Sequence, residues 1–249
     1  MPEPATLGMF LAVSAAAAAL WGVTLRYVDE RSQSFRRLVF FVMGFTRRPT
    51  GGVRSILLSV VYYGVGLLAA LLFTAASGLD VPFAFSLTAA QAGLLVLGAV
   101  GEISLSNILV DLGCRVTGRG GQKQFAELKE IPWIKGLREL PARAAPVFAA
   151  MGAAVEELFF RGVLLRILTD KFLVAPLLAV AIAGALFCLQ QLLQVRTAFQ
   201  ALVIGCGCVA ISLVGGLLVV LTGSVVPAIL CHASFVLFFM TDAAESPRA

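Results

Sequence analysis

The sequence predicts an all-α membrane protein, a polytopic bundle of about seven transmembrane helices. Hydrophobic residues make up 59% of its 249 residues and charged residues 13%, whereas a soluble domain carries about 25% charged residues. The mean hydropathy of +0.95 reflects long apolar runs that recur along the whole chain. A helix needs about 20 mostly apolar residues to cross a bilayer, and several of these runs reach that length.

Seven runs are predicted to span the membrane. They are Leu7–Leu25, Ser55–Ala76, Phe83–Leu112, Ala145–Leu168, Phe172–Leu193, Ala198–Leu221 and Val225–Met240. The first run has no positively charged leader, because Glu3 is the only charged side chain before Arg26. We therefore interpret it as a retained span rather than a signal peptide. The third run is long enough to tilt, kink or break near Gly98–Gly101.

The spans divide the chain into three segments. Residues 1–140 hold the first helices and two basic loops, residues 141–241 hold the helices with the polar motifs, and residues 242–249 form a short tail. Between the first two spans, Phe35–Phe45 is apolar but too short to cross a bilayer. It predicts either a helix that lies at the membrane surface or an extension of a neighbouring helix.

The basic residues indicate topology rather than nucleic-acid binding. The net charge is +5, and the loops Arg26–Arg54 and Gly113–Arg143 carry seven basic residues each. Because basic loops stay in the cytoplasm, these two loops are predicted there, with the N-terminus outside. No basic reading helix is recognisable, so we expect the lipid bilayer as a partner and no nucleic acid.

Three ionisable residues stand together in the otherwise apolar fourth span. They are Glu156, Glu157 and Arg161. A charge in the middle of a membrane helix costs about 2.5–3.5 kcal/mol on insertion scales, which favours a buried polar site. Glu157 and Arg161 are four residues apart and share a helix face, while Glu156 is turned by about 100°. Glu157 can therefore neutralise Arg161, and Glu156 is left to face another group; a purely structural ion-pair cluster is the alternative.

Other spans carry isolated polar residues. Gln191 shares a face of the fifth span with Phe187, His232 is the only histidine and lies in the last span, and Glu102 lies in the third. Intramembrane histidines and carboxylates commonly mark functional sites or proton paths. A glutamine in a span more often links helices through hydrogen bonds.

The motif residues of these spans resemble a known family in their order and spacing. They read Glu156-Glu157-x-x-x-Arg161, Phe187-x-x-x-Gln191 and Pro227-x-Ile229-x-x-His232. This pattern is similar to that of the CPBP (Abi) family, which contains CAAX prenyl endoproteases and bacteriocin-processing or bacteriocin-immunity membrane proteins. The resemblance covers about Val147–Phe239, and the preceding residues match only as generic membrane helices.

The resemblance implies a glutamate-dependent intramembrane endopeptidase without a cofactor. Glu156 would be the general base that activates water, together with the residue at position 191. Glu157 and Arg161 would support it, and His232 would face the oxyanion that develops on the substrate carbonyl. Phe187 would be a supporting residue of the second motif.

Two residues depart from the family pattern. Gln191 stands where the family has a histidine, and Val236 stands where it has an asparagine. A glutamine cannot take up a proton near neutral pH, so Glu156 would be the sole base. The loss of one oxyanion donor typically lowers a rate by about 10²–10³.

Three hypotheses about function remain open. The first is a peptidase in a bacterial cytoplasmic membrane that cleaves a membrane-associated peptide or protein. The second is a catalytically impaired relative that acts in binding, in immunity or as an accessory factor. The third, which we favour least, is a proton or ion transporter that uses Glu102, Glu156 and His232.

We predict no metal and no disulfide. A catalytic zinc site usually has three protein ligands, commonly histidines, and this chain has a single histidine, which favours metal-free chemistry. The five cysteines lie in predicted spans or at the end of one, where cysteine usually packs as a small apolar residue.

Overall fold

The structure is a computed structural model that describes residues 4–46, 49–78, 86–120 and 122–242. Its helices, in chain order, are α1 (Pro4–Arg31), α2 (Gln33–Thr46), α3 (Thr50–Ser77), α4 (Ala89–Thr117), α5 (Gln122–Glu127), α6 (Pro132–Glu139), α7 (Ala145–Glu157), α8 (Pro176–Leu192), α9 (Ala198–Thr222) and α10 (Val226–Asp242). The described residues form no strand, and the predicted all-α class is confirmed. The start of the third predicted span and residues 243–249 of the predicted tail lie outside the described residues.

Four helices are long and apolar enough to cross a membrane, namely α1, α3, α4 and α9. Helices α8 and α10 are apolar but shorter, with 17 residues each. The number of seven spans therefore stays a prediction. Helix α4 runs without interruption from Ala89 to Thr117, so the third predicted span has no break near Gly98–Gly101.

Helix α2 is separate from the helices on either side. Ser32 precedes it, and the Ser32 hydroxyl accepts a hydrogen bond from the Phe35 amide at 3.1 Å, as an N-cap residue does. Phe35 and Val39 are buried against Val53 of α3, whereas Phe40 is 65% exposed. Because α2 has its own start and an exposed apolar face, the structure favours the surface helix over an extension of α1 or α3.

An aromatic core joins the two halves of the chain. Trp21 of α1 stacks on Phe160 with ring centroids 6.0 Å apart, and Phe160 meets Phe187 of α8 edge to face at 5.3 Å. All three side chains are almost fully buried. Helix α1 packs on both α3 and α8. The first helices and the motif-bearing helices therefore belong to one bundle.

Helices α8 and α9 approach each other closely at a glycine. A Cβ atom at Gly184 of α8 would lie 2.7 Å from the Cβ of Ser212 on α9. Small residues allow membrane helices to pack at such short separations. The contact brings the Ser212 hydroxyl into the middle of the bundle, where it is buried.

The backbone changes from α-helix to π-helix directly after Glu157. The π-helical stretch covers Leu158–Leu164, and a second one covers Ile167–Lys171. Wide turns of this kind are rare and frequently occur at functional sites. Five of the seven residues that follow Glu157 are buried apolar residues or glycine, and the exceptions are the partly exposed Leu158 and the buried Arg161.

Candidate active site

A cavity of about 140 Å³ lies between α3, α7, α8, α9 and α10. Most of its wall is apolar, with Phe148 and Ile211 among the lining residues. The polar residues of the wall include the motif residues Glu156, Gln191 and His232. Binding sites for small molecules and peptides commonly combine an apolar wall with a few convergent polar groups. The tertiary structure therefore brings the three predicted catalytic residues to one cavity.

The cavity extends toward one end of the bundle. Its wall includes Leu25 near the end of α1, Ser55 near the start of α3 and Trp133 of α6. These helix ends adjoin the two basic loops identified in the sequence. The cavity therefore reaches the end of the bundle at which the two basic loops begin and end.

The two carboxylate oxygens of Glu156 have different surroundings. Oε1 accepts hydrogen bonds from the Tyr62 hydroxyl and from Nε2 of Gln191, the latter at 2.7 Å. Oε2 lies 3.6 Å from Nε2 of His232, which is beyond the length of a hydrogen bond. The side chain is buried, with 7% of its surface exposed. Oε1 is thus engaged by two donors, and Oε2 is the oxygen open to a small molecule.

Glu157 holds the imidazole of His232. Its Oε1 lies 2.9 Å from Nδ1 of His232 and 3.1 Å from Nη1 of Arg161. When Nδ1 donates its proton to Glu157, Nε2 is the ring nitrogen that faces Glu156 and the cavity. Carboxylates commonly orient functional histidines in this way. The predicted pairing of Glu157 with Arg161 is present, and the structure adds His232 as a second partner.

Arg161 is fixed by three groups on three different elements. Besides Glu157, its Nη2 donates to the Ser212 hydroxyl on α9 at 3.2 Å, and its guanidinium carbon lies 4.7 Å from the ring centroid of Phe187 on α8. Only 1% of the Arg161 side chain is exposed. A cation over an aromatic face is attracted by the ring, more strongly when water is excluded. The contact of the Phe187 ring with the guanidinium explains why an aromatic residue stands at this position of the motif.

The two departures from the family pattern both lie at the cavity. Gln191 donates to Glu156, so the residue in place of the histidine contacts the predicted base directly. Val236 is one helical turn beyond His232 and lines the cavity with an apolar side chain. The first departure keeps a hydrogen-bond donor at its position, and the second removes one.

Sequence reasoning missed three polar neighbours of the motif. Tyr62 donates to Glu156, Gln190 donates through Nε2 to the Tyr62 oxygen at 2.9 Å, and Ser212 accepts from Arg161. A tyrosine in an apolar run resembles any packing aromatic. The pair Gln190-Gln191 offered one signal, since two adjacent amides in a span need partners on two faces.

Glu102 lies outside the cavity wall and contacts Cys231, the residue before His232. It is fully buried on α4, and its Oε2 accepts a hydrogen bond from the Cys231 thiol at 2.9 Å. It does not belong to the cavity wall formed by the described residues. Its other oxygen has no hydrogen-bond partner within the described ranges. Glu102 therefore neighbours the site through Cys231 without facing the cavity.

The described part of the chain contains no group of three or more histidine, cysteine or acidic side chains arranged to hold a metal ion. Its five cysteines are all free thiols. The chemistry available at the site is that of two carboxylates, an imidazole, a guanidinium, two amides and a phenol. Such groups can position water, accept its proton and donate hydrogen bonds to a developing negative charge.

Comparison with known proteins gives a family match over part of the chain. The family model for type II CAAX prenyl endopeptidase Rce1-like proteins matches residues 139–238. The matched stretch includes all eight motif residues named from the sequence, from Glu156 to His232. No curated protein and no solved structure matches the chain.

Proposed function

We propose, from the premise that residues 139–238 belong to the CAAX protease family, that this integral membrane protein is an endopeptidase in which Glu156 activates water. The observation that carries the proposal is Oε2 of Glu156, which accepts no hydrogen bond from the described residues and lies 3.6 Å from Nε2 of His232 at the cavity wall. A water bound at this oxygen would lie within hydrogen-bond reach of a base, as general-base catalysis requires.

Glu156 acts as the base through Oε2. Two donors already occupy Oε1, Tyr62 and Gln191. The water therefore transfers its proton to Oε2 while its oxygen attacks the substrate carbonyl carbon. The carbonyl oxygen becomes the oxyanion, and the proton held on Glu156 is later given to the leaving amine.

His232 faces the developing oxyanion through Nε2. Its Nδ1 is held by Glu157, which in turn is held by Arg161. The cluster is electrically neutral when both glutamates are ionised and His232 carries two ring protons. In that state Nε2–H is a charged donor, and charged donors form stronger hydrogen bonds than neutral ones.

Gln191 cannot share the task of the base, because an amide takes up no proton near neutral pH. Its Nε2 instead orients the carboxylate of Glu156 from the side opposite to the open oxygen. The rate of the reaction therefore depends on a single base, and we expect slower turnover than a second ionisable group at position 191 would allow.

The substrate is a membrane-associated peptide or protein. The mostly apolar wall, with Phe148 and Ile211, suits an extended peptide with apolar side chains. The cavity extends toward the end of the bundle that bears the basic loops, which positive-inside logic assigns to the cytoplasm. We expect cleavage at the cytoplasmic face of a bacterial inner membrane.

The test uses the purified full chain in liposomes with a library of quenched fluorogenic peptides, including prenylated ones. Glu156→Gln is expected to lower the cleavage rate by about 10²–10⁴, the usual contribution of a general base. Glu102→Gln is the matched control, since it makes the same substitution at another buried glutamate, one that lies outside the cavity wall. An unchanged rate in Glu156→Gln would contradict the glutamate-base mechanism.

A second candidate function rests on Gln191 and Val236. If these residues have abolished turnover, the protein is a binding, immunity or accessory protein of the same fold. Binding of the same peptides by wild type and Gln191→His, with no cleavage by either, would favour it. Cleavage by the wild type, accelerated in Gln191→His, would favour the peptidase.

A further inference from the structure

Tyr62 of α3 lies at the junction between Glu156 and the cavity. Its hydroxyl donates to Oε1 of Glu156, and the tyrosine also belongs to the cavity wall. His232 faces the other oxygen of the same carboxylate. Tyr62 and His232 therefore contact different oxygens of the reacting carboxylate, and both side chains line the cavity.

The Tyr62 ring and hydroxyl are held in place before any substrate arrives. The ring packs on Trp21 with centroids 4.9 Å apart. The hydroxyl oxygen accepts a hydrogen bond from Nε2 of the fully buried Gln190 at 2.9 Å. A hydroxyl that accepts one hydrogen bond becomes a stronger donor in the next, because chains of hydrogen bonds polarise one another.

The acceptor of the Tyr62 proton changes during the reaction. In the resting site the hydroxyl donates to an ionised carboxylate. When Oε2 takes the proton from water, Glu156 becomes neutral, and Oε1 becomes a weaker acceptor. At the same moment a full negative charge develops on the substrate oxygen nearby. A rotation of the O–H bond is enough to move the donor from the carboxylate to the oxyanion.

Position 236 of the cavity wall supplies no side-chain donor for the oxyanion. Val236, one turn from His232, presents only methyl groups to the cavity. Gln191 is committed to Oε1 of Glu156 through its amide nitrogen. Within the described cavity wall, Tyr62 is the phenol that contacts the base.

We propose that the Tyr62 hydroxyl is a catalytic residue of this site, the second oxyanion donor beside His232. It keeps its proton throughout, and no bond to it forms or breaks. The proposal rests on the peptidase function described above and adds a residue from outside the family-matched segment, 77 residues before its start at residue 139.

The first experiment compares Tyr62→Phe with Tyr63→Phe in the liposome assay. Tyr62→Phe keeps the ring on Trp21 and removes only the hydroxyl. We expect kcat to fall by about 10²–10³, as for the loss of other oxyanion donors, with KM unchanged. Tyr63 is the comparison variant, because it also lines the cavity but its hydroxyl donates to the Phe148 carbonyl at 2.6 Å rather than to the motif. Tyr63→Phe is expected to lower kcat far less than Tyr62→Phe.

A rescue variant separates catalysis from a purely structural role. Val236→Asn places an amide donor at the cavity one turn from His232. The effect of Val236→Asn on kcat is therefore measured in the wild type and in Tyr62→Phe. If Tyr62 donates to the oxyanion, the added amide should raise kcat about tenfold more in Tyr62→Phe than in the wild type. An equal gain in the two backgrounds means that Tyr62 only orients Glu156, and it overturns the proposal.

The outcomes also distinguish this proposal from the one on which it rests. Cleavage that disappears in Glu156→Gln but stays at the wild-type rate in Tyr62→Phe overturns the role of Tyr62 alone. The absence of any cleavage by the wild type overturns both. Thermal unfolding checks that both variants fold, since Tyr62→Phe loses the hydrogen bonds to Glu156 and Gln190 and Tyr63→Phe loses the one to Phe148.

Discussion

Replacement of Arg161 by glutamine should strongly destabilise the bundle. Arg161 is 1% exposed and its partner Glu157 is fully buried, with 3.1 Å between Nη1 and Oε1. The substitution also removes the hydrogen bond to Ser212 at 3.2 Å and the cation over Phe187. Glu157 would keep His232 as its partner, and its Oε2 has no hydrogen bond in the described part of the chain.

The size of the stability loss follows from the carboxylate of Glu157, which stays buried after Arg161 is replaced. Removal of one partner of a buried ion pair typically costs about 3–5 kcal/mol, because a buried charge loses its compensation. Without Arg161, the two glutamates would share His232 as their cation, and the cluster would carry one net negative charge. At about 1.4 kcal/mol per factor of ten, that is a change of roughly two to four orders of magnitude in the unfolding equilibrium. The change is large relative to the total stability of about 5–15 kcal/mol that a typical protein has.

Arg166→Gln is the matched control for this experiment. Arg166 pairs with Asp170 in the same i, i+4 arrangement at 3.3 Å, but the two side chains are 36% and 43% exposed. Exposed pairs contribute about 0–1 kcal/mol. Both variants should be unfolded reversibly in mixed detergent micelles, with helix content followed by circular dichroism. A difference below about 1 kcal/mol between them would refute the argument from burial.

The double variant Glu157→Gln with Arg161→Gln tests the physical cause. If the cost arises from an unpaired buried charge, removal of that charge should recover part of the loss. We expect the double variant to be more stable than Arg161→Gln alone, with a coupling energy of about 1–3 kcal/mol. A double variant that is no more stable than the single one would mean that lost packing, rather than the stranded carboxylate, dominates.

Two further variants test how the helices around the site are held. Gly184→Ala should lower the free energy of unfolding by about 1–3 kcal/mol, since its Cβ would lie 2.7 Å from the Cβ of Ser212. Gly64→Ala is the control, because nothing lies within 4 Å of a Cβ at that position, and it should not destabilise the protein. Equal stabilities of the two variants would contradict the close approach of α8 and α9. Thr197→Ala removes the N-cap of α9, whose side chain accepts from the Gln200 amide, and should cost about 0.5–2 kcal/mol in unfolding experiments, whereas Thr197→Ser should retain the stability.

The pairing of Glu157 with Arg161 was predictable because it is local. Residues four apart on one helix meet whatever the rest of the fold does, and the pair is present at 3.1 Å. The presence of His232 in this polar cluster was predictable for a different reason. It is the single histidine of the chain, and an imidazole within a membrane span needs a polar partner. Its contact with Glu157 at 2.9 Å joins residues 75 positions apart.

Tyr62 was not predictable because its contacts depend on the register between helices. It lies 94 residues before Glu156 and 128 before Gln190. An aromatic residue in an apolar run satisfies the same composition and periodicity whether it faces lipid or a carboxylate. The π-helical stretch after Glu157 was not predictable either, because its residues are as apolar as those of an ordinary buried helix.

The all-helical membrane fold and the set of polar residues in its interior follow from the residues alone. Long apolar runs have no stable alternative to helices in a bilayer, and buried charges are too costly to occur without a partner or a function. Only the tertiary structure decides that Oε1 of Glu156 is engaged while Oε2 is open. That difference arises where α3, α7, α8 and α10 meet, and the meeting depends on how side chains far apart in the chain pack against each other.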